Sequence, residues 1–405
     1  MSSYSDLLRT RGVARIISAQ LLARFPGGML SLAFLMHVER IHGSYAAAGL
    51  VLAATSVGQA VAGPLTSRWM GSWGMRPVLA LTTAVCTIAV VVIALLDTPD
   101  PTPVPVYMGL GLLAGLANPP VQPAVRTIYP KMVNSKQLTP LFSLDASAQE
   151  IIWVFGPVIA TFLAIQVSTT AGILVAAAFM VGGGLWFISS PELGLVRIPR
   201  SKRRFGVVLR RPSVLLSTVV GFLLVAACAA IEAGVVAVYG HDGPEAGFVL
   251  AMFAAGSLLG GLALGHIPIG PWAMARRMFI VLVGTAIAAL WMNFWWLSAF
   301  LFLAGVGIAP ALAVLFAVVS STVKFSDTAE AYGWVGTGQL IGAALGSAAA
   351  GFLIDAIGPE GAFYVAAAVL VLGVIIPAVF RRHHPDLRGR EAGPIPDTEP
   401  VPVIT

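Results

Sequence analysis

Apolar residues run along this chain in long blocks, each closed by a short polar stretch. Twelve blocks reach the roughly 20 residues that a membrane-spanning helix needs. They cover residues 13–39, 45–68, 76–96, 105–125, 138–166 and 168–189, then 213–239, 245–266, 274–292, 294–322, 329–354 and 360–381. The ninth and tenth are the least clearly divided, because only Asn293 and its neighbours interrupt a long apolar run. Between the sixth and seventh lies a polar segment, PELGLVRIPRSKRRFGVVLRRP, residues 191–212. The pattern predicts an all-α membrane protein of two six-helix halves, 1–190 and 213–382, joined by a basic linker, 191–212. The tail, 383–405, is rich in Pro and charge and is expected to be disordered.

Composition agrees with lipid as the main solvent. Hydrophobic residues make up 58% and charged residues 10%, against about 25% charged in a soluble domain. The net charge of +6 could point to nucleic acid, but the basic residues are spread over short loops without interleaved aromatics. Sorted along the twelve spans, 22 of the 24 Lys and Arg fall on one side, the side of both termini and of the linker; Arg24 and Arg40 are the exceptions. The excess of positive charge on cytoplasmic loops then predicts cytoplasmic termini and a multi-pass protein of the cell membrane. Cys86 and Cys228 sit in apolar runs and read as packing residues. The first apolar run is too long for a cleavable leader and is interrupted by Arg24, so it is expected to remain as a membrane anchor.

The halves repeat each other. Val51, Leu52, Ala53, Gly58 and Gly63 match Val249, Leu250, Ala251, Gly256 and Gly261 at one offset of 198. Gln149 and Gly156 match Gln339 and Gly346 at an offset of 190. Such pairs suit two bundles related by a parallel repeat, rocking about a central site. Residues 63–79, GPLTSRWMGSWGMRPVL, resemble the loop after the second helix in the major facilitator superfamily, GPLxGRLxDRxGRRPVL. Gly63, Pro64, Leu65, Arg68, Gly74, Arg76, Pro77, Val78 and Leu79 agree; Ser67, Gly71, Ser72 and Met75 depart. The resemblance implies the superfamily's two-bundle fold, transport by alternating access, and a gating role for this loop. Gly71 stands where the family's acidic latch residue would be, which implies a latch that is weaker or built differently. ANPPVQPAVRTIYP (117–130) and DTAEAYGW (327–334) resemble actinobacterial members of a drug-efflux-like group.

Charges buried in a bilayer are costly and mark function. Arg24 lies ~16 Å into the first span and Glu150 ~18 Å into the fifth, at 1.5 Å per residue. Their similar depth predicts an Arg24–Glu150 ion pair, either functional or a structural lock between helices. Gln20 shares the face of Arg24, and Pro26-Gly27-Gly28 weakens the helix just after it. Asp145, with Gln149 at i+4, is placed to pair with Arg126 in a structural or gating role, with proton carriage as the alternative. Glu232 lies in the outer half of the seventh span, with no basic residue at that depth in its bundle. It is the foremost candidate for proton coupling, the alternative being a carboxyl hydrated at the water line. Asn118, Gln122, Gln339 and Trp334 are candidates for a cavity wall, with packing as the alternative. Gly156-Pro157 resembles a remnant of the family's antiporter motif. His37, His42, His241 and His266 sit at span ends without metal spacing.

No lysine follows a glycine, and neither HExxH nor GxSxG occurs, so ATP hydrolysis and hydrolytic catalysis are not expected. The chain reads as a non-enzymatic secondary transporter without cofactor or metal. Its expected partners are a small-molecule substrate, protons and lipid, with no nucleic acid, and it is expected to be monomeric. Proton-coupled efflux of a small amphipathic molecule, as an antiporter, is the first expectation. Proton-coupled uptake of a nutrient and a transport-inactive membrane sensor are the alternatives.

Overall fold

The structure is a computed structural model that describes residues 4–97, 102–201, 203–240, 245–388 and 393–397. Asp100, Lys202, His241, Asp242 and Arg390 lie outside the described residues. The twelve expected spans are present. The first is two helices, Val13–Arg24 and Pro26–His42; the second is Tyr45–Trp73 and the third Met75–Leu95. The fourth is again two helices, Val104–Leu116 and Val121–Met132; the fifth is Ser135–Gln166 and the sixth Thr169–Ser189. The second half follows with Pro212–Tyr239, Glu245–Leu264 and Ala273–Ala288 as spans seven to nine. The tenth is Phe294–Gly305 with Ile308–Thr322, the eleventh Phe325–Ile357 and the twelfth Glu360–Val379. Eleven are long and apolar enough to cross a bilayer; the ninth has 16 residues, ~24 Å of helix.

The breaks follow from the local sequence. Pro26 sits at the first position of its helix, where a missing N–H costs nothing, and the chain restarts there after Phe25. Pro119-Pro120 ends the outer part of the fourth span, because a residue before proline is pushed out of the helical region. The linker is not wholly irregular: Pro191–Leu195 is helical and Val207–Arg210 is a 3₁₀ turn.

The internal repeat is a repeat of packing. Gly58 lets the second span touch the carbonyl of Leu112 in the fourth, and Gly256 lets the eighth touch the carbonyl of Phe302 in the tenth. Gly156 packs on Gly28, and Gly346 on Ala226. Without a hydrophobic force between helices in lipid, close backbone approach is what holds such pairs. The fourth span ends at Met132 and the fifth is capped by Asn134; the tenth ends at Thr322 and the eleventh is capped by Lys324. These boundaries keep the offset of 190.

The halves touch toward the basic end and part toward the other. The second span packs on the eleventh, the fifth on the eighth and tenth, and the inner part of the fourth on the eleventh. Gly63 and Gly333 cross closely, Thr337 Oγ1 donates to the carbonyl of Ala60 (2.8 Å), and Ser143 Oγ to that of Gly261 (2.7 Å). Ser257 Oγ donates to Glu150 at 2.8 Å, a further hydrogen bond between the halves. Farther along the fifth span, Pro157, Thr161 and Ile165 line an open groove. The buried core divides likewise: one large cluster joins both halves, while a second belongs to the outer part of the first half alone.

The tail departs from its expected disorder where it is described. Ile395 accepts from the Phe325 amide (3.1 Å) and donates to the carbonyl of Val323 (3.0 Å), and Ser326 Oγ donates to Asp397 (2.6 Å). The open backbone groups at the start of the eleventh span offer these partners.

Gly58→Val and Gly256→Val should each destabilise the protein by about 1–3 kcal/mol through overpacking. Thermal unfolding of the purified protein in detergent checks this. A variant that melts with the wild type at either position would break the equivalence of the two crossings.

Candidate functional site

The polar residues of the first half converge on one carboxylate. Asp145, fully buried in the fifth span, accepts from Arg126 Nε (2.9 Å), Gln20 Nε2 (3.1 Å) and the Tyr129 hydroxyl (3.1 Å). Arg24 Nη1 reaches the same carboxylate at 3.4 Å and donates to Gln20 Oε1 at 2.7 Å. Its Nη2 donates to Gln149. The two guanidinium groups fix the amide of Gln122, whose oxygen accepts from Arg126 Nη2 (2.8 Å) and Arg24 Nη2 (3.0 Å). Spans one, four and five are thus tied by two cations, one anion and three amides.

The second half meets this cluster with an aromatic ring. The guanidinium carbon of Arg126 lies 3.4 Å from the centroid of Phe316 in the tenth span. A cation over a ring face, out of water, is attracted by the ring quadrupole, by ~2 kcal/mol. Phe142 and Tyr332 pack around Phe316 at 6.4 and 6.2 Å.

Glu150 is not the partner of Arg24. The pair is Arg24–Asp145, and Glu150 turns instead to Ser257 of the eighth span. The depths were similar, but one residue along a helix turns the side chain by about 100°, so Gln149 faces the arginines and Glu150 faces the other half. Glu232 lies in the seventh span, Pro212–Tyr239. It makes no hydrogen bond among the described residues and is exposed. Each half thus carries one carboxylate within its spans, Glu150 bonded across the interface and Glu232 exposed.

Toward the basic end a second set of charges closes the structure. Arg68 Nη1 bonds Glu330 at 2.7 Å, and its Nη2 donates to the carbonyl of Arg203 in the linker. Glu330 also accepts from the amide of Gly206 (2.8 Å). Asp327 takes Ser201 Oγ at 2.6 Å and Arg203 Nε at 3.6 Å. The latch across the halves is thus built from Arg68, Glu330, Asp327 and the linker. A side chain at Gly71 would start 3.1 Å from the carbonyl of Pro199, so linker backbone occupies the space beside that position. Gly74 adopts φ +92° between the second and third spans, a turn that side chains resist. Arg76 donates to the carbonyl of Ser190 at 3.1 Å.

Comparison with known proteins accords with this geometry. The sequence matches the profile of the Major Facilitator Superfamily over residues 16–291 and again over 234–403. The chain belongs to that superfamily. Among solved structures, it is similar to a bacterial homologue of the iron transporter ferroportin in an outward-facing state: TM-score 0.73, 14% identity, 92% of this chain and all of that one. The human organic anion transporter MFSD10 gives 0.68 at 15% identity, over 91% of this chain and 99% of that one. The E. coli fucose:proton symporter gives 0.69 at 13%, over 91% and 98%. At these identities the likeness concerns fold alone. A search of curated protein sequences returns no match.

The remaining expected residues scatter. Asn118 is exposed in the break of the fourth span. Gln339 packs beside Gly221 of the seventh span and bonds nothing among the described residues. Trp334 is not a cavity-wall residue: its ring lies 5.5 Å from that of Phe205 in the linker, at the latch. His37 is tied to Thr169 (3.0 Å) and the carbonyl of Ile93 (3.1 Å), a packing role. Sequence reasoning did not single out Asp327, Glu330 or Phe316. The acidic pair at i and i+3 in DTAEAYGW, on the span opposite Arg68, was the available signal. Nothing in the primary pattern distinguished Phe316 from its apolar neighbours.

Asp145→Asn should cost roughly 3–5 kcal/mol, because two buried guanidinium groups lose their shared anion; thermal unfolding reads this, and a cost under about 1 kcal/mol counts against the carboxylate's central place. Glu330→Gln should loosen the latch. With Cys86 and Cys228 replaced by Ala, a cysteine at Ser143 should be alkylated several-fold faster in the Glu330→Gln background. Equal rates in both backgrounds would mean that the ion pair does not hold the halves closed.

Proposed function

We propose that this chain is a proton-coupled carrier of a small amphipathic organic molecule, working by alternating access between its two six-helix halves. The observation that carries the reading is one carboxylate within the spans of each half, Glu150, which accepts from Ser257 across the interface, and Glu232, which is exposed and bonds nothing among the described residues. A charged carboxylate in a low dielectric is costly, and a proton removes that cost. Rocking the halves changes their surroundings, so proton occupancy and conformation are linked. A ligand-free rocking cycle is then unfavourable in some protonation states, which is what coupling requires.

The basic end, with the linker and latch, is taken as the cytoplasmic side because it carries almost all of the Lys and Arg. The closed latch then corresponds to a carrier open to the outside. The apolar walls of the spans suit an amphipathic solute, and exchange of that solute outward against protons is the first reading. A second reading, proton-driven uptake, is favoured by one observation. The arginine cluster holds two cations against one anion, and an anionic solute drawn to it would travel with protons rather than against them. An iron-carrying role like that named for the ferroportin homologue is less supported: among the described residues, no three His, Cys, Asp or Glu side chains gather as a metal site.

Reconstituted in liposomes with an interior pH dye, the wild type should move protons when a transported amphiphile is added. Glu232→Gln and Glu150→Gln should each abolish that movement while solute exchange down its own gradient persists. Solute entering with acidification of the lumen indicates co-transport, and solute leaving with acidification indicates exchange. Proton movement that survives in both variants would falsify the carboxylate pair as the coupling site.

A further inference from the structure

We infer that the cluster around Arg24 is a binding site for an organic anion, with a carboxylate or comparable head group held by the first half and an apolar body extending toward Trp153. The inference rests on the reading of the chain as a carrier and specifies what that carrier binds.

The first argument is a charge count. Arg24 and Arg126 share Asp145, and their other partners, Gln20, Gln122 and Gln149, are neutral amides. Glu150 bonds Ser257 instead, and Glu232 bonds no arginine. One positive charge is therefore left over in the middle of the spans, where an uncompensated ion is costly. A chain that needed only to lock its helices would do so at lower cost with one arginine.

Access is the second argument. The side chain of Arg126 is 3% exposed and that of Asp145 is 0%, whereas Arg24 keeps 12%. Arg126 is covered by Phe316, so Arg24 is the more accessible of the two cations. Gln149 and Gln122 are half-buried beside it. Both can turn: an amide that now gives its oxygen to a guanidinium can present its NH₂ to an incoming carboxylate, which takes over the freed guanidinium donors. Arg suits this exchange, because its planar fork binds a carboxylate with two parallel hydrogen bonds.

Asymmetry is the third. By the repeat offsets of 198 and 190, the positions of Arg24, Arg126 and Asp145 correspond to Phe222, Phe316 and Val335 in the second half. The charge is thus on one side only, facing apolar counterparts. Trp153 lies one helical turn beyond Gln149 on the same face of the fifth span and is 52% exposed. A head group at Arg24 places the ligand's body beside this ring.

The test uses the purified full chain in detergent and isothermal titration with 2-naphthoate, octanoate, 2-naphthamide and 2-naphthylmethylammonium. At least one of the two carboxylates should bind, and about tenfold or more tighter than the amide and the ammonium, the ratio expected for losing a charge-assisted hydrogen bond. Arg24→Gln should lose that preference and Arg24→Lys should keep most of it. Thermal unfolding of each variant without ligand reports its folding. The comparison among ligands on the wild type stands even if Arg24→Gln fails to fold. Equal or tighter binding of the amide or ammonium, or no binding by either carboxylate, overturns the inference. So does a well-folded Arg24→Gln that binds the carboxylate as the wild type does. Failure here with proton flux intact would leave a carrier of another solute class; anion binding without proton flux would leave the site and remove the coupling.

Discussion

Everything at the centre of this protein depends on one buried carboxylate being shared by two guanidinium groups. Asp145 has no exposure, and spans one, four and five reach it through Arg24, Arg126, Gln20 and Tyr129. Alone, each arginine would pay a desolvation cost of several kcal/mol. Together with the carboxylate and three amides they fill the donors and acceptors of the cluster, apart from one charge in excess. The cluster also sets how the halves meet, because Arg126 cannot leave the ring of Phe316 without uncovering its charge.

The two halves are equivalent as scaffolds and different as chemistry. Gly58 and Gly256 make the same crossing, as do the contacts of Gly156 with Gly28 and of Gly346 with Ala226. On this shared frame the first half carries the arginine cluster, and the second carries Phe222, Val335 and Phe316 at the matching positions. Arg126 and Phe316 are repeat counterparts, and they touch where the two halves come together. Among the described residues, Glu232 is the one carboxylate of the seventh span.

The gate at the basic end follows a different physical rule. It lies where loops and linker can be hydrated, and its ion pairs, Arg68–Glu330 and Arg203–Asp327, are partly exposed on the arginine side. Such pairs are weak singly. Their number and the backbone contacts around them, including Gly206 to Glu330 and Phe325 to Ile395, join the two halves and the linker at this end. Position 71 carries no acid, and Arg68 is paired instead with Glu330 of the other half.

The apolar runs and the polar breaks between them determined the twelve spans, and the sorting of Lys and Arg marked one end of the bundle. The resemblance of residues 63–79 marked Gly63, Arg68, Gly74 and Arg76, and Arg24, Asp145, Glu150 and Glu232 stood out as charges within apolar spans, because charge in lipid is rare and costly. The pairing Arg126–Asp145 was legible as well, since both lie near the same end of adjacent spans. Depth along a helix does not report direction around it, so the sequence could not choose between Asp145 and Glu150 as the partner of Arg24. Nor could it find Phe316 or Glu330, whose importance comes from what faces them across the interface. Those choices belong to the rotation of each helix and the docking of the halves, which the tertiary packing decides.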